Sequence, residues 1–359
     1  GRNFIVDSLV PALAFASLSL FVFSRIVPAD VTALLERVLS PLNQPGLLLL
    51  LITIVIGFTL HSLNTAIYKV LEGYFLLYKV PAIQNFQKNR IIKKYTKIRI
   101  LEELYKKLDS PDADPKDLDK IQQKLYRLSA THQRNYPPSI EHLMPTRFGN
   151  AFRAMEVYPR LRYRMDAVLI WPRLIHVIPE PYYLKLDESN NRLAFLVNCA
   201  LLSLGMSILS GLAAGYQFLL FRYSQVKKPF PLYFVDVVPN NTEYQTNAYL
   251  YLIGVAIMMV LFVLFYRASI QIVVQYGDLV KSAFDLFRSK LIKEMALKPP
   301  GEFTAEINVW ENLSLFIGHG LLNDNYDKIP FHYDAPNNML EDDGLEILDD
   351  LDWDEDEVE

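Results

Sequence analysis

Four polar side chains lie within two apolar stretches of the chain, where ionisable groups can take part in chemistry. Asp7 belongs to the first stretch, and His61, Asn64 and Thr65 belong to the second, at spacings that place them on one helix face. Ionisable groups inside a membrane commonly mark ion or proton pathways. Asp7 and His61 lie near the ends of their helices, so we prefer a structural contact between Asp7 and His61, or between Asp7 and an arginine.

Residues 144–181 contain six arginines and no lysine, and they also contain Trp171. Arginine is favoured where a planar group must bind carboxylates, phosphates or carbonyls in a bidentate manner. Three interpretations remain open: pairing with local acids and lipid head groups, contact with a neighbouring subunit, or a site for an anionic ligand. The segment is predicted to lie against the inner leaflet, and its arginines are Arg147, Arg153, Arg160, Arg162, Arg164 and Arg173.

The chain lacks the motifs of known catalytic and nucleotide sites. It has no phosphate-binding loop, dinucleotide-binding glycine pattern, zinc-protease helix or nucleophile elbow. Its six histidines are scattered, and a single cysteine, Cys199, excludes an internal disulfide and a cysteine-based zinc site. We therefore predict no enzyme activity, no metal and no cofactor.

Four long apolar stretches determine the predicted fold class, at about residues 4–24, 46–68, 193–221 and 248–266. A hydrocarbon core of about 30 Å needs about 20 apolar residues per helix. The sequence therefore predicts an all-α polytopic membrane protein with four transmembrane helices, the first retained rather than cleaved as a signal peptide. The predicted regions are two membrane helices (1–70), a cytoplasmic region (71–190), two more membrane helices (191–268), a cytoplasmic helical region (269–340) and an acidic tail (341–359).

The distribution of lysine and arginine predicts the orientation. Region 71–190 contains 21 of these residues, whereas loop 25–45 contains 2. Because cytoplasmic loops are enriched in Lys and Arg, both termini and the large central region are predicted to be cytoplasmic.

The first part of the central region predicts a helical hairpin that projects into the cytoplasm. Helix formers dominate residues 82–108 and 116–135, and the Asp- and Pro-rich segment between them is typical of a turn. Basic residues beside a membrane are attracted to anionic lipids at the cytoplasmic face. We expect this attraction, and no nucleic-acid binding.

Small residues recur every four positions along the third apolar stretch. Such a stripe allows two helix backbones to approach closely. The partner helix belongs either to the same chain or to a second subunit, so a homo-oligomer or a larger membrane assembly is predicted. The stripe consists of Cys199, Ser203, Ser207, Gly211 and Gly215.

The tail 341–359 contains 12 acidic residues and no basic one, interleaved with Leu, Ile and Trp. Repulsion between like charges predicts that this segment is disordered alone. It is either a solubilising tail or a strip that docks on a basic groove.

Several short segments resemble a family of uncharacterised bacterial multi-pass membrane proteins. These are PTRFGN, DAVLIWPRL and YGDLVKSAFDLFR, followed by EINVWENLS, within about residues 145–315. The resemblance implies a bacterial origin, and with it a location in the bacterial inner membrane, but it supplies no function, since no activity is known for that family. Two functions remain open: a membrane scaffold or assembly subunit that presents a cytoplasmic helical platform, and an oligomeric channel or transporter.

Overall fold

A computed structural model describes residues 5–23, 45–74, 81–108, 115–226 and 241–319. Every regular element within these ranges is a helix, which confirms the all-α class. The acidic tail 341–359 lies outside the described residues. The helices are α1 (Val10–Phe23, preceded by a π turn at Ile5–Leu9), α2 (Pro45–Ser62), α3 (Asn64–Glu72), α4 (Pro81–Leu108), α5 (Pro115–Asn135), a 3-10 turn (Ile140–His142), α6 (Arg147–Glu156), α7 (Tyr158–Tyr163), α8 (Ala167–Val177), α9 (Glu180–Val226), α10 (Asn241–Glu294) and α11 (Phe303–His319).

Two long helices, α9 and α10, form the central pair of the fold. They contain 47 and 54 residues and pack against each other. At a rise of about 1.5 Å per residue they are about 70 and 80 Å long, more than twice the thickness of a hydrocarbon core. Neither helix contains proline in its interior. Pro181 lies in the first turn of α9, where its missing N–H costs no hydrogen bond. Each helix can therefore continue beyond the membrane without a break.

The structure supports fewer membrane spans than the sequence predicts. Only Glu180–Arg222 and Tyr244–Glu294 are single described helices long and apolar enough to cross a membrane. A third span results if Leu49–Ser62 and Asn64–Glu72, bent by 62°, are counted as one. The first apolar helix, Ile5–Leu20, is too short to count as a span, even with the π turn at its start included. Two or three candidate spans are thus established, and the four-span topology stays a prediction.

Large apolar side chains remain exposed along the candidate spans. Phe58 is 65% exposed, Leu212 68% and Leu219 67%. Soluble proteins rarely leave such continuous apolar surfaces open to water. The exposed apolar belt is the surface expected of helices that face lipid.

One buried core forms where α6, α7, α8 and α11 pack on the C-terminal half of α10. Trp310 of α11, Phe284 of α10 and Ile170 and Leu174 of α8 are fully buried in it. A second cluster around Phe148, Leu193 and Val273 joins α6 to α9 and α10 nearer the apolar stretches. The two clusters are both built on α10, so the candidate membrane-spanning helices and the buried core share one helix as a common support.

Helices α4 and α5 pack against each other in the arrangement of a hairpin. The cluster of Ile91, Tyr136 and Leu143 brings the start of α4 to the end of α5, which makes the pair antiparallel. The Tyr95 hydroxyl donates a hydrogen bond to the Pro137 carbonyl, and burial raises the pKa of Tyr95 to about 12. The base of the hairpin is therefore fixed by packing and by one buried donor.

A close backbone contact joins α3 to α6. Gly73 ends α3 with φ +96°, which lets the Gly73 and Tyr74 N–H groups bond to the last carbonyls of the helix. The Thr146 hydroxyl accepts from the Gly149 N–H at the start of α6 and donates to the Leu71 carbonyl at 2.8 Å. A Cβ at Gly149 would lie 2.5 Å from the Glu72 carbonyl oxygen. Only glycine fits at Gly149.

Gly149→Ala is expected to lower stability because the new methyl group meets backbone atoms that cannot rotate away. We expect a loss of about 1–3 kcal/mol in the free energy of unfolding, measured as a lower thermal midpoint of the purified protein in detergent. Gly301→Ala is the matched control, since a Cβ there meets nothing within 4 Å among the described residues. Equal midpoints for the two variants would show that α3 and α6 do not meet in this way.

Candidate functional site

The six arginines of the membrane-proximal segment divide into paired and unpaired groups. Arg153 pairs with Glu156 at 3.0 Å, and Arg164 donates two hydrogen bonds to Glu311, at 2.9 and 3.0 Å. Arg173 donates to its own helix, at the Leu169 carbonyl. Within the described part of the chain, no carboxylate lies within 4.0 Å of four arginines that are all exposed: Arg147, Arg160, Arg162 and Arg173.

Local acids account for only one of these pairs. Glu156 does pair with Arg153, but Asp166 instead caps α8, where its carboxylate accepts from the Val168 and Leu169 N–H groups. The partner of Arg164, Glu311, lies 147 residues away on α11. No spacing rule within one helix could have identified it.

Trp171 does not extend outward as a free anchor. Its ring is half-buried, lies 5.8 Å from the Phe284 ring and lines a cavity of about 270 Å³ between α6, α8 and α10. Trp171 therefore helps to pack α8 on α10, and the predicted contact of its segment with the inner leaflet stays a prediction.

A polar network behind the arginines joins α7, α10 and α11, and sequence reasoning missed it. Tyr158 and Tyr163 both donate to the Asp285 carboxylate, Tyr163 at 2.6 Å. Arg288, one turn further along α10, pairs with Glu306 at 2.8 Å, and its guanidinium lies 4.5 Å from the Tyr163 ring centre. Burial first, and then the hydrogen bond to Asp285, raises the pKa of Tyr158 and of Tyr163. Both tyrosines therefore remain donors at neutral pH.

Tyr163→Phe is expected to destabilise the junction because Asp285 loses one of its two tyrosine donors. Asp285 is only partly buried, so the loss of this donor is expected to cost about 1 kcal/mol, and the thermal midpoint should fall. Tyr126→Phe is the matched control, since Tyr126 is 77% exposed on α5. If the two substitutions have the same effect, the network contributes nothing to stability.

The small-residue stripe of α9 contacts α10 only in part. The Ser207 hydroxyl donates to the Val255 carbonyl at 3.3 Å, and a Cβ at Gly211 would lie 3.8 Å from the Val255 side chain. Ser203 bonds to the Cys199 carbonyl within its own helix. Gly215 has no described atom within 4 Å of its Cβ position, so the predicted close contact there is not made within the described chain.

The polar residues of the apolar stretches meet at the π turn. Asp7 is 3% exposed, and its Oδ2 lies 4.0 Å from His61 Nδ1. Asn198 of α9 donates to the Asp7 main-chain carbonyl at 2.8 Å. Asn64 lies beside Tyr68 on α3, whereas Thr65 is exposed. The predicted meeting of Asp7 and His61 is therefore present, and Asn198 is the member that sequence reasoning missed.

Among the described residues, no group of three or more His, Cys, Asp or Glu side chains is placed to hold a metal ion. No family model matches the chain, and neither curated proteins nor solved structures are detectably similar to it. Function must therefore be inferred from the arrangement of charge and packing alone.

Proposed function

We propose that this protein is an integral membrane scaffold or assembly subunit that presents a cytoplasmic helical platform to partners. The observation that supports this most directly is the length of α9 and α10, about 70 and 80 Å. Two packed helices that continue from an apolar region into a second core hold that core at a fixed place beside the membrane. A rigid support of this kind is suited to presenting a binding surface to partners. It is less suited to an enzyme that closes around its substrate by a hinge motion.

The proposed platform is the surface of α6, α7 and α8 that carries the exposed arginines. Arg147, Arg160, Arg162 and Arg173 have no described carboxylate partner, so their guanidinium groups are available to outside anions. Anionic lipid head groups at the inner leaflet and carboxylates of a neighbouring subunit both fit this chemistry. The acidic tail is a candidate for the same role, as a docking strip.

The proposed topology has four spans and cytoplasmic termini, with α1 and the bent pair of α2 and α3 as the first two. Asn241→Cys, at the start of α10, should react with an impermeant thiol reagent in intact cells, whereas Glu103→Cys on α4 should react only after permeabilisation. Both variants are made on a Cys199→Ala background, which removes the natural thiol. The reverse labelling pattern would show that the protein has the opposite orientation in the membrane.

The platform is expected to hold the protein in an assembly larger than its own 41.4 kDa. Arg147→Ala together with Arg160→Ala should reduce the particle mass after mild detergent extraction while leaving the thermal midpoint of the chain unchanged. Lys106→Ala together with Lys124→Ala removes the same charge from exposed positions of the hairpin and should change neither. An unchanged mass in the arginine variant would reject the platform.

The second candidate function is an oligomeric channel or transporter. The observation that favours it is the buried polar group around Asp7, because such groups in membrane helices commonly line ion pathways. A closed symmetric ring with a central opening, seen for the purified particle, would support the channel over the scaffold.

A further inference from the structure

An open groove follows one face of α9 at the point where this helix changes from polar to apolar. Its volume of about 890 Å³ falls within the range of about 300–1,000 Å³ that is typical of ligand sites. The α9 residues that line it recur at steps of three and four between Leu184 and Leu196, and Val6 of the π turn and Ile272 of α10 complete the lining. Val6 and Leu184 are 50% and 57% exposed, so the groove opens outward. We call it the boundary groove.

The boundary groove has a polar half and an apolar half. Asp187, Glu188 and Arg192 line the polar half and precede the apolar stretch that begins at residue 193, whereas Phe195 and Leu196 belong to that stretch. The stretch is part of a helix that is long and apolar enough to cross a membrane. From Glu188 to Leu196 the helix rises about 12 Å. The groove therefore presents charged groups and then apolar side chains, in the order in which a phospholipid presents its head group and its acyl chains.

The charged groups of the polar half keep most of their hydrogen-bonding capacity. Arg192 Nη2 donates to Glu188 Oε1 at 2.5 Å, and the two side chains remain 65% and 62% exposed. A guanidinium has five N–H donors and a carboxylate accepts at both oxygens, so this ion pair uses only part of either group. Asp187 accepts from Asn191 at 3.1 Å on the same helix face. Two carboxylates and one guanidinium line the groove, which gives it an excess of negative charge.

We infer that the boundary groove binds a phospholipid whose head group carries a primary ammonium, with phosphatidylethanolamine as the probe. The Arg192 guanidinium fits the phosphate, because it can donate two parallel hydrogen bonds to phosphate oxygens. The Glu188 carboxylate fits the ammonium, which has three N–H donors as a lysine side chain does. The two opposite charges of the head group thus meet the two opposite charges of the ion pair. Phe195, Leu196 and Ile272 provide the apolar surface for an acyl chain.

Other occupants fit the boundary groove less well. An anionic head group would be repelled by the excess of carboxylates. The ammonium of phosphatidylcholine carries methyl groups in place of its N–H donors, so it cannot donate to Glu188. An apolar protein segment would cover the charges of Glu188 and Arg192 without binding them, which is costly. The inference rests on the proposed membrane crossing of α9, and it holds for a scaffold and for a channel alike.

The test is native mass spectrometry of the full chain, released from detergent micelles that contain equal amounts of phosphatidylethanolamine, phosphatidylcholine and phosphatidylglycerol. The parent should retain phosphatidylethanolamine in about tenfold excess over phosphatidylcholine, because only the former makes charge-assisted hydrogen bonds to Glu188. Glu188→Gln should bring the two lipids to equal retention. Glu103→Gln is the matched control and should keep the full excess, since Glu103 on α4 is also exposed and also pairs with an arginine four positions away, Arg99.

Four outcomes would overturn the inference. The first two are equal retention of the two zwitterionic lipids by the parent and an excess that persists in Glu188→Gln. The third is preferential retention of phosphatidylglycerol, which would make the groove a site for anionic lipid. The fourth is the absence of any retained lipid, which would leave the groove to a second copy of the chain or to another protein.

A second measurement on the parent decides the question if Glu188→Gln does not fold. Retention of phosphatidylethanolamine should fall with each methyl group added to its nitrogen, because each methyl removes one N–H donor. Equal retention of the unmethylated, monomethylated and dimethylated lipids would reject the site.

Discussion

The packing of α9 on α10 is the constraint on which the rest of the structure depends. Both helices are too long for a hydrocarbon core, and both lack proline in their interiors. The C-terminal half of α9 and the N-terminal half of α10 are apolar, and the remaining halves carry the buried clusters to which the shorter helices attach. A break in either helix would separate the apolar part of the fold from these clusters, because few other described elements contact both.

The shorter helices are joined to this pair by different kinds of contact. Helices α7 and α11 meet α10 through charged and hydroxyl groups, centred on Asp285 and Arg288. Helix α6 meets α3 through glycine and a threonine hydroxyl, where backbone atoms approach closely. Polar contacts depend on direction, and close packing depends on shape. Together they determine one arrangement of the platform, whereas burial of apolar area alone would permit several arrangements.

The sequence by itself determined the class of this protein, the position of the long apolar helices and the hairpin of α4 and α5, because apolar periodicity and turn residues act over a few neighbouring positions. It also predicted that Asp7 and His61 meet. Only the tertiary structure decided that Asp7 contacts Asn198, that Arg164 pairs with Glu311, and that Gly215 faces away from α10 while Gly211 approaches it. These contacts join residues as many as 191 positions apart. They depend on how the helices are rotated and bent relative to one another. A local pattern of residue types does not determine that rotation.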